Sequence, residues 1–270
     1  MGTRARIGDG VNDLGRSLLH DALVVAREAF VRAMTTITRE ERGAVVGLGG
    51  DGTPTHHFDV LVEAPVLDVL ERARVNVLSE EVGWIDRASH DTVVIDPLDG
   101  TANAIAGVPL SSFSAALVRD GVVVEALAHW FEGGRTWHAR ADDAERLGVT
   151  ARRSLRGASV SMLRPRPENE RAWNAVARQA GRVRVLGTSV LEACLVADGA
   201  VDAFCDPGGE VHRIVDLAAA DLIVRKAGGC LRDVRGRPLN YEPDLRQRWS
   251  GIVASSAQLA DDIAAVVSAA

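Results

Sequence analysis

The segment Asp96-Pro97-Leu98-Asp99-Gly100-Thr101 sets two carboxylates three residues apart, where the apolar run Thr92-Val93-Val94-Ile95 ends. Such a run reads as a strand, and Pro97 has no N–H to give a sheet, so pairing stops there. Gly100-Thr101 then lets the backbone turn tightly into the start of a helix. Two anionic groups held this close raise each other's cost unless a cation lies between them. An oxygen-only donor set selects a hard cation, Mg²⁺, Mn²⁺ or Ca²⁺, over a thiophilic metal. Standing alone, D-x-x-D-G is more often a turn whose aspartates cap the backbone. Two further acidic positions argue for metal chemistry here. Glu80-Glu81 also arrives at the end of an apolar strand, and Asp216 stands inside the apolar run Ile214 to Val224. A carboxylate in such a run is costly to bury unpaired; a helix N-terminus or a metal would each stabilise it, and the two are compatible.

The elements that must position these groups follow from periodicity. Leu14, Leu18, Leu19, Leu23, Ala26, Phe30 and Ala33 predict one amphipathic helix from Val11 to about Met34, with Asp9 as its N-cap, and a second helix runs from Phe58 to Ala73. Between them, Gly47 to Thr55 is rich in glycine and turn residues and reads as a flexible loop. His56-His57 reads as part of a solvated loop, since adjacent side chains diverge too far to form a metal pair. Val75–Leu78 and Thr92–Ile95 read as strands. Ser112–Val118 and Val122–Trp130, around the Asp120-Gly121 turn signal, read as an antiparallel hairpin that offers a homodimer interface. The polar stretch from Gly133 to Arg153 reads as a further hairpin at a sheet edge. In the second half, helices and strands alternate: strand 159–162, helix 170–180, strand 182–186, helix 189–200, strand 203–205, and a long apolar helix 215–227 closed by Gly228-Gly229. The chain divides into an N-terminal α+β lobe over residues 1–157, carrying the acidic motif, and a C-terminal α/β lobe over 158–270 that completes the site. Pro165-Arg166-Pro167 lies near that boundary.

Composition narrows the partners. Across 270 residues, 47% are hydrophobic and 25% charged, enough for a sizeable core, and no stretch approaches 18 consecutive apolar residues. The basic N-terminus lacks an apolar signal region, so a cytoplasmic protein without membrane contact is expected. Net charge is −6 and Lys226 is the single lysine, so no basic stripe marks a nucleic-acid partner. Cys194, Cys205 and Cys230 form no C-x-x-C pair and read as buried free thiols. A moderately acidic protein repels an anionic substrate at long range, so local cations must draw it in.

Taken together, Leu78-Ser79-Glu80-Glu81, Val94 through Asn103 and Val215-Asp216-Leu217-Ala218-Ala219 resemble the signature segments of the inositol monophosphatase family, the lithium-sensitive, metal-dependent phosphatases that include fructose-1,6-bisphosphatases. Asp51-Gly52-Thr53-Pro54-Thr55 with Asp59, Leu186-Gly187-Thr188-Ser189 with Cys194–Ala197, and Lys226–Gly229 match in the same order. The resemblance covers residues 47 to 256. It implies an α+β fold, a layered αβαβα sandwich of mixed and antiparallel sheets with helices between and outside. It implies Glu80, Asp96, the Leu98 carbonyl, Asp99 and Asp216 as ligands of Mg²⁺, with Mn²⁺ as a substitute. Asp59 and Thr101, with Glu80, would orient and deprotonate the attacking water, while the backbone amides of Gly100 and Thr101 and the Asp99 side hold substrate. Gly187, Thr188, Ser189 and Asp206 would line the alcohol side.

Where animal-type members carry tryptophan before the last ligand, this chain has Arg213-Ile214-Val215-Asp216, which is similar to the archaeal-type branch. Members of that branch often hydrolyse both inositol phosphate and fructose 1,6-bisphosphate. A second phosphate would want a cation, and Arg184 or Arg213 offers a bidentate one. The activity implied is a Mg²⁺-dependent phosphomonoesterase acting on a sugar or cyclitol phosphate, working as a homodimer. The competing readings are a nucleotide-type phosphatase, acting on a 3′-phosphoadenosine compound or a pathway-specific nucleoside phosphate, and a non-catalytic regulatory homologue.

Overall fold

The computed structural model describes residues 17–146 and 148–270. Helix α1 (Leu18–Thr36) begins where Ser17 accepts a hydrogen bond from the Leu19 amide; Asp9, expected as its cap, and the turns expected from Val11 lie outside the described residues. A short α2 (Arg39–Arg42) leads to strands β1 (Val45–Leu48) and β2 (Pro54–His56), then α3 (His57–Ala73), β3 (Asn76–Ser79), β4 (Gly83–Ile85) and β5 (Asp91–Asp99). The short α4 (Thr101–Ala106) is followed by β6 (Ser112–Arg119), β7 (Val122–Trp130) and β8 (Thr136–Arg140). The remainder is β9 (Ser159–Met162), α5 (Glu170–Gln179), β10 (Arg182–Arg184), α6 (Ser189–Ala197), β11 (Ala203–Cys205), α7 (Ile214–Lys226), β12 (Cys230–Asp233), β13 (Gly251–Ala254) and α8 (Ala257–Ser268).

These elements stack in five layers. A six-stranded mixed sheet runs β4-β3-β5-β6-β7-β8, and a five-stranded mixed sheet runs β10-β9-β11-β13-β12. Helices α1 and α3 cover the outer face of the first sheet, burying Leu19, Phe30, Phe58 and Val62 against Val93, Ile95 and Phe113. Helices α6 and α7 lie between the sheets, with Val94, Ala116 and Ala126 on one side and Phe204 and Val253 on the other. Helices α5 and α8 close the far side over Val160, Cys205 and Ile252. The order is αβαβα, as the resemblance implies. Val93 and Ile95 face one core and Val94 the other, which is why β5 reads as an unbroken apolar run: it is buried on both faces. One core is common to residues from both halves of the chain.

Three expectations are corrected. The Gly47–Thr55 stretch is the paired strand ends and the turn of an antiparallel hairpin, β1 with β2, and His56 closes β2 while His57 opens α3, so neither lies in a loop. The β6–β7 hairpin cannot supply an interface, because both strands lie inside the six-stranded sheet with nearly every residue from Phe113 to His129 buried except at the turn. Among the described residues no helix is long and apolar enough to cross a membrane.

Candidate metal centre and active site

The parallel strands β3 and β5 end side by side, and the N-termini of the inter-sheet helices α6 and α7 meet them there. At the end of β5 the ladder slips: Asp96 pairs with Ser114 and Asp99 with Ser112, three residues spanning what two span on β6. This bulge, at the strand's only proline, returns Asp99 to the face Asp96 occupies, toward the helices between the sheets. Gly100 turns the chain into α4 with φ +83, and a Cβ there would lie 2.8 Å from the Leu110 carbonyl oxygen and 3.2 Å from Thr188 Cβ, so only glycine fits.

Glu80, Asp96 and Asp216 form the acidic centre, each offering an oxygen within 4.8 Å of the others. Asp216 stands in the first turn of α7, accepting the Arg213 amide at 2.6 Å. Asp96 is buried; its Oδ1 accepts the Leu98 amide at 3.0 Å, while Oδ2 is enclosed without a hydrogen-bond partner. Burial, then repulsion from Glu80 and Asp99, pushes the Asp96 carboxyl well above the usual carboxylate range, and burial with the neighbouring Asp216 raises Glu80. An orphaned buried oxygen among three carboxylates is a donor set that fits a hard divalent cation.

Asp99 departs from the expected ligand set. Its carboxylate turns to α6, accepting the Val190 amide at 2.9 Å, the Ser189 amide at 3.3 Å, the Ser112 hydroxyl at 3.0 Å and the Thr188 hydroxyl. Thr188, the N-cap residue of α6, makes no side-chain cap of its own, so Asp99 caps that helix from another element. Burial raises Asp99 to about 6, although Thr188 acts in the opposite direction.

Asp59 and Thr101 are adjacent. The Thr101 hydroxyl lies 2.7 Å from Asp59 Oδ1 and 2.9 Å from the Leu98 carbonyl oxygen, and having one proton it donates to one of them at a time. Asp59 accepts the His56 amide at 2.8 Å from the first turn of α3, and burial raises its carboxyl. Glu81 meets the Thr55 hydroxyl, and burial pushes it up to about 8.

Other expected contacts lie elsewhere. Asp206 is fully buried, with Oδ1 accepting the Gly209 amide at 2.8 Å and Oδ2 accepting the Val211 amide at 3.0 Å and the Ser250 hydroxyl at 3.2 Å, so its oxygens serve its own loop and not an alcohol. Arg184, in edge strand β10, donates to the Ser159 hydroxyl on β9. Arg213 turns onto the acids: Nη1 on Glu80 and 3.5 Å from Asp51, Nη2 3.1 Å from Asp216. Gly187, at φ +77, is exposed, and Ser189 is half-buried at the head of α6.

Three residues escape the sequence reading. Glu192, fully buried on α6, accepts the Ser161 hydroxyl at 2.5 Å and the Leu186 and Thr188 amides at 3.2 Å, holding the Leu186–Thr188 turn; burial pushes it up to about 7. Glu63 accepts the Ser79 hydroxyl at 2.5 Å beneath the Glu80 turn. Asn103 donates to the Leu110 and Leu186 carbonyls at 2.9 and 2.8 Å, tying the two halves together. For the glutamates a signal existed: Glu63 lies one helical turn from Asp59, and Glu192 interrupts the apolar run Val190 to Val196.

The sequence profile described as the inositol monophosphatase family matches residues 18–270. A fructose-1,6-bisphosphatase/inositol-1-monophosphatase of Methanocaldococcus jannaschii is 30% identical over 246 residues, covering 88% of this chain and 95% of that protein. A histidinol-phosphatase of Mycobacterium tuberculosis is 36% identical over 236 residues, 80% of this chain and 89% of its own. A solved inositol monophosphatase–fructose 1,6-bisphosphatase superposes with a TM-score of 0.80 at 28% identity, covering 91% of this chain and 98% of that one.

Proposed function

Since the chain belongs to the inositol monophosphatase family and is therefore a metal-dependent phosphoric monoester hydrolase, we propose that its cation is Mg²⁺ and its substrate a sugar or cyclitol phosphate. One observation carries this reading: three carboxylates from three separate segments converge, one with an orphaned buried oxygen, beside the Asp59–Thr101 pair. Glu80, Asp96 and Asp216 would hold the cation, with the Leu98 carbonyl beside them and Asp99 joining only if its side chain leaves the α6 amides. When bound, such a cation makes a water acidic and offsets charge on the phosphoryl oxygens.

The chain's own residues do the rest. Thr101 keeps its lone pairs for a water while its proton serves Asp59 or Leu98, and Asp59 Oδ1 accepts the proton that water gives up. Burial raises the proton affinity of Asp59, which suits it to act as a base nearer neutral pH. Gly100 and Thr101 offer backbone amides to the phosphate from the turn that φ +83 permits. The water oxygen adds to phosphorus, the bond from phosphorus to the ester oxygen breaks, that oxygen takes up a proton from solvent, and inorganic phosphate and the free alcohol leave. Gly187 and Ser189 would meet the alcohol, as the family resemblance implies. The reading includes a homodimer in the cytoplasm, as the family resemblance implies.

A panel of inositol 1-phosphate, fructose 1,6-bisphosphate, histidinol phosphate and 3′-phosphoadenosine 5′-phosphate, followed by phosphate release with Mg²⁺, tests it. Turnover of either of the first two supports the proposal. Histidinol phosphate is included because a 36%-identical relative is a histidinol-phosphatase; turnover of that ester alone, or of the nucleotide alone, overturns the substrate class. No release from any ester would favour a binding protein.

A further inference from the structure

Arg213 is a cation built into the acidic centre. It is the residue before the first turn of α7, and its backbone amide donates to Asp216 Oδ2 at 2.6 Å. Its guanidinium then folds back over the same carboxylates: Nε is 3.3 Å from Asp216 Oδ2, Nη2 3.1 Å from Asp216 Oδ1, and Nη1 contacts Glu80 Oε1. Two members of the Glu80–Asp96–Asp216 trio are thus already paired by a group that never deprotonates in this range. A divalent cation seeking Glu80 and Asp216 meets a positive charge on the same oxygens, and the two repel at contact distance. The third carboxylate within reach, Asp51, lies outside the trio, 3.5 Å from Nη1. Asp51 is held in place by the Thr53 amide at 2.9 Å and by Arg248 Nη2 at 2.8 Å.

We propose that Arg213 is a counter-ion competing with the metal. It neutralises Glu80 and Asp216 until a divalent cation binds and then gives them up, with Asp51 as the anion that receives it. Metal affinity is then set by the difference between two sets of ion pairs, not by the carboxylates alone. The turn that carries Asp51 feels metal binding through the same guanidinium. This inference rests on the reading of the trio as a divalent-metal site.

The test is calorimetric titration of the full chain with Mg²⁺ and with Mn²⁺, alongside melting temperatures in EDTA and at saturating metal. Compared are wild type, Arg213→Gln, Arg213→Lys and Arg248→Gln. Arg213→Gln should bind metal about tenfold or more tightly, since close charge pairs of this kind couple by at least that factor. Its melting temperature in EDTA should fall and its gain on adding Mg²⁺ should exceed that of wild type. Arg248→Gln removes an equal charge whose carboxylate partner is Asp51, beside the Leu245 and Gln247 carbonyls, and it should change metal affinity by less than about threefold. Should Arg213→Gln not fold, Arg213→Lys keeps the charge but loses the fork onto Asp216 and should still tighten binding about threefold. Wild type that binds metal, with Arg213 variants that bind it equally or more weakly, overturns the inference while leaving the metal reading standing. If neither wild type nor any variant binds Mg²⁺ or Mn²⁺, the metal reading falls and the inference with it.

Discussion

Replacing Asp99 by alanine separates two roles for one carboxylate. If Asp99 acts as in this structure, it caps α6 and ties it to β5 and β6, and its loss is felt in metal-stripped protein. The magnitude follows from its partners. Losing the acceptor for the Ser189 and Val190 amides costs about 1 kcal/mol, the usual worth of a helix cap. The Thr188 and Ser112 hydroxyls, both buried, lie 3.1 Å apart and can bond each other, so one lost partner remains instead of two, at about 1–3 kcal/mol. Against this, burial raises Asp99 to about 6 from 3.8, so at pH 7.5 its ionised form costs the fold about 3 kcal/mol and masks the loss; at pH 4, where the folded group is protonated, that cost shrinks to about 0.5 kcal/mol and the net loss is about 2 kcal/mol. For a chain of this length the melting temperature should fall by about 4–8 °C in EDTA at pH 4, measured by circular dichroism. Asp99→Asn keeps one acceptor and should lose roughly half as much. A melting temperature for Asp99→Ala within about 1 °C of wild type at pH 4 would refute the capping role, because a carboxylate poised only for metal leaves α6 unsupported by it.

Asp96→Asn should do the opposite without metal. It removes a buried charge repelled by Glu80 and Asp99 and gives the orphaned Oδ2 position an amide that can donate to Glu80, so the melting temperature in EDTA should rise while Mg²⁺ binding by calorimetry disappears. A fall in melting temperature would show that Asp96 stabilises the fold through contacts its charge does not oppose. Glu192 predicts a pH slope. Burial lifts its carboxyl to about 7 from 4.5, so the folded state holds the proton more tightly than the unfolded one. Its contribution is complete below about pH 4.5 and erodes as pH rises through about 7. Glu192→Gln lacks that erosion, and its melting temperature should decline less between pH 5 and 8 than that of wild type. An equal or steeper decline would remove Glu192 as the source.

The parts of the fold legible in the sequence are those buried on both faces or on one helical stripe. Strands β5, β6, β7, β9 and β11 are apolar runs bounded by turn residues, and α3, α5, α6 and α7 carry the spacing of three and four that a packed helix needs. The hairpin β1–β2 was not legible for the same physical reason in reverse. Val45, Val46 and Leu48 are exposed, so no burial pattern is written into them, and their pairing depends on a turn closed by the Gly49 amide on the Thr53 carbonyl. The three-residue strand β4 owes its place to β3 beside it, a contact that no local pattern announces. Strands β12 and β13 and helix α8 carry no chemistry-bearing motif to draw attention to them.

For the acidic site, residue type was legible and direction was not. Asp96 and Asp99 stand three apart, so on a regular strand they would face opposite sides; the bulge at Pro97 puts both toward the helices between the sheets, and there they part company. Asp96 meets Glu80 and Asp216, while Asp99 meets the α6 amides, which are a stronger lure than a neighbouring carboxylate because they donate. Asp206 is expected beside the substrate alcohol and Asp216 on the metal, yet the amides of Gly209 and Val211 consume the first while the second joins the cluster. The guanidinium of Arg213 follows from the same logic. With Asp51, Glu80 and Asp216 within reach, a side chain expected to face an incoming phosphate is drawn onto carboxylates already in place. Since Asp99, Thr188 and Asp206 are committed to internal partners, the proposed phosphatase reading leaves discrimination among alcohols to the exposed turn at Gly187 and the half-buried Ser189, a turn that Glu192 and Asn103 hold from beneath.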